Sequence, residues 1–356
     1  MNKKVVVWGT GNVGRPAIRA VVSHRDLELV GVVVSNPEKV GVDAGTLAGI
    51  GEQGVLATDN WEEVIDNIDC LVYCANADTR GEEAFMELAS VLATGVNVVS
   101  SAFYPLLYPP CGVKEAVDAI QGICSQANSS VFVSGIDPGW AMDVLPIFAS
   151  GAVSDIEQIR MQEIFNYALY DQPHVVREVI GFGKPMEHIP RMLEESSLRT
   201  VWEPMVRIVA DSLELELDEV ETFHERRPLE RDVEVPGMGH FEAGSQGAFR
   251  FEVRGMVAGA ARIVVEHITR IDDDCAPDWA YPTQGRGCHQ LIIKGVPDLH
   301  LTLHGHDRVE PGPAGGGNAI AANRIVNAIP AVCVAAPGIV SPLDLPMIDG
   351  ARQWRG

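Results

Sequence analysis

Several absences bound this 356-residue sequence before any motif is considered. No apolar run reaches the ~18 residues of a membrane-spanning helix, and the N-terminus has no signal-peptide apolar core. A cytoplasmic protein with no membrane partner is expected. Positive charge is scarce. Against 49 Asp and Glu stand 27 Lys and Arg, a formal net charge of −22 that repels nucleic acid and anionic lipid alike. Cysteine is sparse too, with seven residues and no CxxC pair, so reduced structural thiols are expected and no metal centre. The chain lacks GxSxG, a P-loop and HExxH, which removes hydrolase and kinase chemistry. It has no internal repeat, and its only low-complexity tract is PGPAGGG at 311–317.

What is present organises itself from the start. The apolar run Val5, Val6, Val7, Trp8 leads into Gly9, Thr10, Gly11, Asn12, Val13, Gly14, a buried strand entering GxGxxG. The first glycine serves the tight turn, the second lets backbone approach a pyrophosphate, and the third lets helix and strand pack closely. The phosphates then rest on a helix N-terminus, whose unpaired N–H groups favour an anion. Pro16 suits the first helical turn, Ile18, Val21 and Val22 have helical spacing, and a second apolar strand follows at Leu29–Val34. At its end an NAD-specific site carries Asp or Glu for the ribose hydroxyls. Here Ser35, Asn36 and Lys39 stand there instead, so NADP(H) is the expected cofactor, with NAD(H) possible.

Strands and helices then alternate. Cys70–Ala75 is a buried strand, followed by a helix through Leu92 with Thr79 and Glu82 as a capping box and Gly95 as its stop. Asn97–Ser101, a helix from about Val113, and Val131–Val133 complete a parallel sheet with right-handed crossovers. Ligands lie outside the carboxyl ends of such strands, which adds Ala75, Asn76 and Ser101 to the cofactor residues. The AFYPLLYPP loop at 102–110 and Trp140 supply an apolar substrate lining of Phe103, Leu106 and Trp140.

From about residue 154 the period changes to two. Residues 158–169, 248–254, 261–271, 289–294 and 299–304 read as strands without regular helices between them, hence an antiparallel or mixed sheet. The fold class is α/β: a Rossmann-type doubly wound parallel sheet with a second α+β domain. The expected divisions are 1–150 for the dinucleotide domain, 151–316 for the substrate and dimerisation domain, and 317–356 for a C-terminal helix and tail. Gly315, Gly316 and Gly317 read as a hinge or connector.

Longer segments carry a family resemblance. The opening turn, SGIDPGWAMDVLP at 134–146, GFGKP at 181–185, CAPDWAYP at 275–282 and the stretch 325–346 resemble the dihydrodipicolinate-reductase-like proteins. Within them the likeness is to 2,4-diaminopentanoate dehydrogenase and the native amine dehydrogenases. That resemblance implies a homodimeric NAD(P)-dependent enzyme interconverting an amine with a ketone and ammonia, with the C-terminal helix returning to the cofactor domain. The paired-histidine, lysine and PSGTA segments of true dihydrodipicolinate reductases are missing from EIFNYALYDQPHVV at 163–176, so that activity is not expected. The family's usual loop glutamate is replaced by Phe103, Tyr104 and Pro105.

Hydride transfer also needs a proton donor or acceptor near the product heteroatom. Three candidates arise. Tyr104 stands at a strand end, where it is either a donor or an aromatic wall. Asp137 replaces the usual Asn of a GxNPG motif, as an acid or base or as a turn-former. Glu163 interrupts an apolar strand face, an expensive place for a charge unless it is paired or lines a cavity, and the plain alternative is an arginine salt bridge. Asn327 is expected to bond the nicotinamide or ribose, or to be an ordinary helix polar residue. His300, His304 and His306 lack ligand spacing, and Asp272–Asp274 reads as a turn. Two other functions compete with amine dehydrogenation: ketone or imine reduction without ammonia incorporation, and a non-catalytic dinucleotide-binding sensor.

Overall fold

A computed structural model describes residues 2–77, 79–170, 172–310 and 312–354. It divides into two compact units, residues 1–140 with 317–356, and residues 141–316.

The first unit opens with β1 (Lys3–Trp8), α1 (Gly14–Ser23), β2 (Leu27–Val33), α2 (Ala44–Ala48) and β3 (Ala57–Thr58). It continues through β4 (Cys70–Tyr73), α3 (Gly81–Ala93), β5 (Asn97–Ser100), α4 (Lys114–Ala127) and β6 (Ser130–Val133). The second unit holds α5 (Val144–Ser150), β7 (Ser154–Asn166), α6 (Glu195–Ser212), β8 (Glu219–Pro228), β9 (Val233–Val235) and β10 (Gly239–Phe241). After these come the long strands β11 (Gln246–Val257), β12 (Ala260–Arg270) and β13 (Gly287–Val296), then β14 (Leu299–Leu303). Helix α7 (Pro313–Val332) and β15 (Gly338–Val340) end the chain, the unit boundary falling in the first turns of α7.

The first sheet has seven strands in the order β15-β6-β5-β4-β1-β2-β3, every pairing parallel. Val5, Val7, Val72, Val99 and Phe132 cover one face of it and share a core with α1 and α7. Tyr73 points to α3 on the other face, where its hydroxyl donates to Glu87. Helices on both faces account for the near-continuous apolar character of these strands. The second unit carries a six-stranded mixed sheet, β14-β13-β7-β12-β11-β8, in which only β12 and β7 run parallel among the described residues.

The structure corrects one local reading. Thr79 does not cap α3, because the helix starts two residues later with Arg80 at its N-cap and no side-chain cap. Arg80 instead pairs with Glu83 and Glu87, so the acids of the first turns are held by a guanidinium. Val175–Val179 form a π-helical turn. Gly315–Gly317 are helical and carry the chain from the second unit back into the first. A Cβ on Gly316 would stand 2.2 Å from the Gly305 backbone, and one on Gly315 1.9 Å from the Glu310 carbonyl oxygen. Close backbone approach is therefore what these glycines serve. The three glycines and Pro330 cost α7 about 6 kcal/mol in helix propensity. Ala322, Ile325, Val326, Ile329 and Val332, all fully buried, return roughly 10 kcal/mol of apolar burial and decide the outcome.

Candidate active site

The glycine turn of the first unit tests whether a dinucleotide fits. Gly9 has φ +104, and a Cβ on it would lie 2.8 Å from Cys74 and Ala75 backbone atoms. A Cβ on Gly14 would lie 2.0 Å from the Gly9 carbonyl oxygen. Both glycines are thus required by the protein's own packing. Gly11 differs, since a Cβ there meets nothing within 4 Å. The space over Gly11 suits a group from outside the chain at the N-terminus of α1, whose dipole favours an anion. The first turn of α1 has no acidic residue to oppose an anion. The residues present fit a dinucleotide diphosphate.

Lys39 reaches this turn from the end of β2. Its Nζ donates to the Thr10 carbonyl oxygen at 3.3 Å and to Thr10 Oγ1 at 3.0 Å. Ser35 and Asn36 are exposed beside it, and Asn36 Oδ1 accepts from Glu38 N, which fixes the Pro37–Lys39 turn. On the adjacent strand ends Ser101 bonds the Cys74 thiol, whose pKa burial pushes up to about 12. Asn76 Oδ1 accepts from Thr79 N at the end of β4. Asn327 does not belong to this group. Its Oδ1 accepts from Gln353 Nε2, which also bonds the Ala20 carbonyl oxygen in the last turns of α1. Ala20 lies about 9 Å along the helix from Gly14, and Asn327 anchors the C-terminal tail.

The loop after β5 is strained. Phe103 has φ +65, unusual for a bulky residue, and packs on Tyr73 at 4.9 Å between ring centroids. Tyr104 opens a 3₁₀ turn and is partly exposed. Leu106 is only 1% exposed and belongs to the core, not to a substrate lining. Asp137 lies in the tight turn after β6, where Trp140 N donates to the Gly135 carbonyl oxygen and Gly139 (φ +136) packs against Gly135.

In the second unit Glu163 is paired, though not to an arginine. The register sets His267 of β12 directly opposite Glu163 of β7, and His289 of β13 opposite it on the other side. Three adjacent strands therefore carry a His–Glu–His row on one sheet face. His267 Nδ1 is 3.5 Å from Glu163 Oε1, and His289 Nε2 is 3.3 Å from Oε2. Tyr167 OH donates to Oε1 at 2.9 Å. Burial alone pushes the Glu163 carboxyl up. The two histidines and the tyrosine hydroxyl outweigh it and hold the carboxyl well below the usual carboxylate range. Aromatic rings wall the row: Phe251 stacks on His267 at 4.5 Å, Trp202 of α6 meets its edge at 4.8 Å, and Phe165 meets His289 at 5.4 Å.

Neither histidine stands out in the sequence, where each is a single polar break in an apolar period, like Glu163 itself. The other histidine cluster has different duties, His304 bonding Thr283 and the Gly287 carbonyl oxygen. Asp272 and Asp274 pair with Arg231, and Asp273 with Arg286, so this acidic run is an ion-paired turn.

A parallel sheet entered through a glycine turn that fits a diphosphate, followed in the chain by a mixed-sheet unit, is the architecture of a dinucleotide-dependent dehydrogenase. The chain belongs to the 2,4-diaminopentanoate dehydrogenase family: that family's C-terminal domain matches residues 140–353, and the N-terminus of dihydrodipicolinate reductase matches residues 3–101. An amine dehydrogenase from Streptomyces virginiae is 45% identical over 345 residues, 96% of each chain. The 2,4-diaminopentanoate dehydrogenase of Acetoanaerobium sticklandii is 26% identical over 97% of this chain and 93% of its own. The structure of an amine dehydrogenase from Mycobacterium smegmatis shares the fold, with a TM-score of 0.77, 20% identity and 99% of both chains covered.

Proposed function

We propose that this oxidoreductase is an NAD(P)-dependent amine dehydrogenase interconverting a small, largely apolar amine with its ketone and ammonia. The observation that carries this reading is the 45% identity to an amine dehydrogenase along 96% of both chains. The site agrees with it in kind. Gly9 to Gly14, Ser35, Asn36, Lys39, Ala75, Asn76 and Ser101 would hold the dinucleotide, which when bound supplies hydride transfer. A buried carboxylate at Glu163 suits a cationic nitrogen better than a neutral carbonyl. Lys39, with Ser35 and Asn36 where an NAD site carries an acid, favours NADP(H) over NAD(H), against the opposing charge of Glu38. No helix among the described residues is long and apolar enough to cross a membrane, and we place the enzyme in the cytoplasm. A homodimer through the second unit is the assembly we propose.

The test is spectrophotometric. Purified protein with NADP⁺ or NAD⁺ and a panel of 2-aminoalkanes and diamino acids should form reduced cofactor, and with ketone and ammonium it should consume it. One observation favours a second reading: Phe103-Tyr104-Pro105 stands where the family resemblance places a glutamate. Reduction of ketones or preformed imines that is indifferent to ammonium would establish that reading, and hydride transfer to none of these would establish a sensor.

A further inference from the structure

Glu163 lies more than a hundred residues before His267 and His289, yet the register of three strands aligns them in one row. The neighbouring row on the same strands and the same face, Met161, Val265 and Leu291, is entirely buried and apolar. An apolar trio would fill the row's place at no cost in stability, since buried ion pairs seldom outperform well-packed hydrophobes. The row therefore has a use other than holding the sheet together. Exposure ranks its members: 11% of the Glu163 side chain reaches solvent, against 6% for His289 and 3% for His267. The carboxylate is the member a substrate meets first.

We infer that the His267–Glu163–His289 row is the proton-handling group of the amine reaction, with Glu163 catalytic at the substrate nitrogen and both histidines positioning it and keeping it ionised. This rests on the amine dehydrogenase reading above. In the oxidative direction Glu163 takes a proton from the substrate ammonium. An N–H bond breaks, an O–H bond forms on the carboxyl, and the electron pair stays on nitrogen. That pair lets the neighbouring carbon release hydride to the oxidised nicotinamide dinucleotide, the co-reactant. Without its histidines a carboxyl this deeply buried would hold its own proton and could not act as the base.

The experiment uses the full chain with NADP⁺ and the amine it oxidises fastest among 2-aminoalkanes and 2,4-diaminopentanoate. Glu163→Gln should lower kcat by roughly 10²–10⁴-fold, with the dinucleotide Kd within about threefold of wild type. His289→Gln should lower kcat by about tenfold and leave Kd unchanged. Nitrogen NMR of the imidazoles, assigned with the His267→Gln and His289→Gln variants, should show an imidazolium in the row that disappears in Glu163→Gln. A folded Glu163→Gln enzyme with wild-type kcat overturns the inference while leaving the amine dehydrogenase reading intact, as do two neutral imidazoles in the wild type. If Glu163→Gln does not fold, Glu163→Asp keeps the charge and withdraws it by one methylene; a fall in kcat of about tenfold or more supports the assignment, and unchanged kcat overturns it. A wild type that oxidises no amine overturns the functional reading and the acid–base role together, and the NMR signature would then mark only a charged row.

Discussion

Three glycines in one turn separate structural duty from ligand duty at the level of single atoms. Gly14→Ala drives a methyl group to 2.0 Å from the Gly9 carbonyl oxygen, so it should destabilise the protein by about 3 kcal/mol in denaturant titration. Gly11→Ala meets no protein atom within 4 Å and should leave the thermal midpoint within about 1 °C. Its effect should fall on the dinucleotide, whose Kd should rise at least about tenfold by fluorescence titration, one decade being about 1.4 kcal/mol. If Gly11→Ala binds as well as wild type, the space over that turn does not hold a diphosphate. Lys39 permits a separate test. If its ammonium, now on Thr10 at 3.0 Å, reads a 2′-phosphate, Lys39→Ala should weaken NADPH about tenfold and NADH less than about threefold. Equal losses would place the lysine on a group the two cofactors share. The glycine motif was legible because strand, turn and helix follow one another within fourteen residues. The His–Glu–His row was not, because each member is one polar residue in an apolar strand, and only cross-strand register makes them neighbours.

At the level of elements, the alternating strands and helices of the first unit and the long period-two strands of the second were legible from hydrophobic periodicity. Missed elements were short or unusually polar. β8, EVETFHERRP, hides its period because its charged residues are paired, Glu225 with Arg227 along the strand and with Arg250 across the sheet. The sheet face opposite α6 carries a larger network of this kind. Arg160 bridges Glu252 at 3.0 Å and Glu266, Gln162 donates to Glu266, and Arg254 pairs with Glu252. Arg160→Met leaves two nearly buried carboxylates short of their shared cation, and should cost about 3 kcal/mol in urea at neutral pH. Burial raises the Glu252 carboxyl, but Arg160 and Arg254 outweigh it and hold it below its usual range. Stabilisation from this group is therefore present above about pH 4.3 and lost as pH falls through the lower folded value. The gap between wild type and Arg160→Met should accordingly narrow in acid. A gap that persists unchanged to pH 2 would mean the arginine acts through packing and not through charge.

For the molecule as a whole, the net charge of −22 sets the terms of self-association. Two copies repel one another over distances that salt screens, about 10 Å at 0.1 M. If the homodimer forms as proposed, light scattering after gel filtration should give about twice 38.4 kDa, and dilution should dissociate it more readily in 10 mM than in 300 mM salt. A monomer at all salt concentrations would remove the dimer. The sequence is also discontinuous with respect to the units, because α7 and β15 complete a sheet and core begun by β1 and α1. During synthesis, the nucleotide-binding half must wait for its last helix and edge strand until the entire intervening unit has left the ribosome. The inserted half has no such delay, so it can mature first on the nascent chain while the opening segment, with its apolar face uncovered, depends on chaperones.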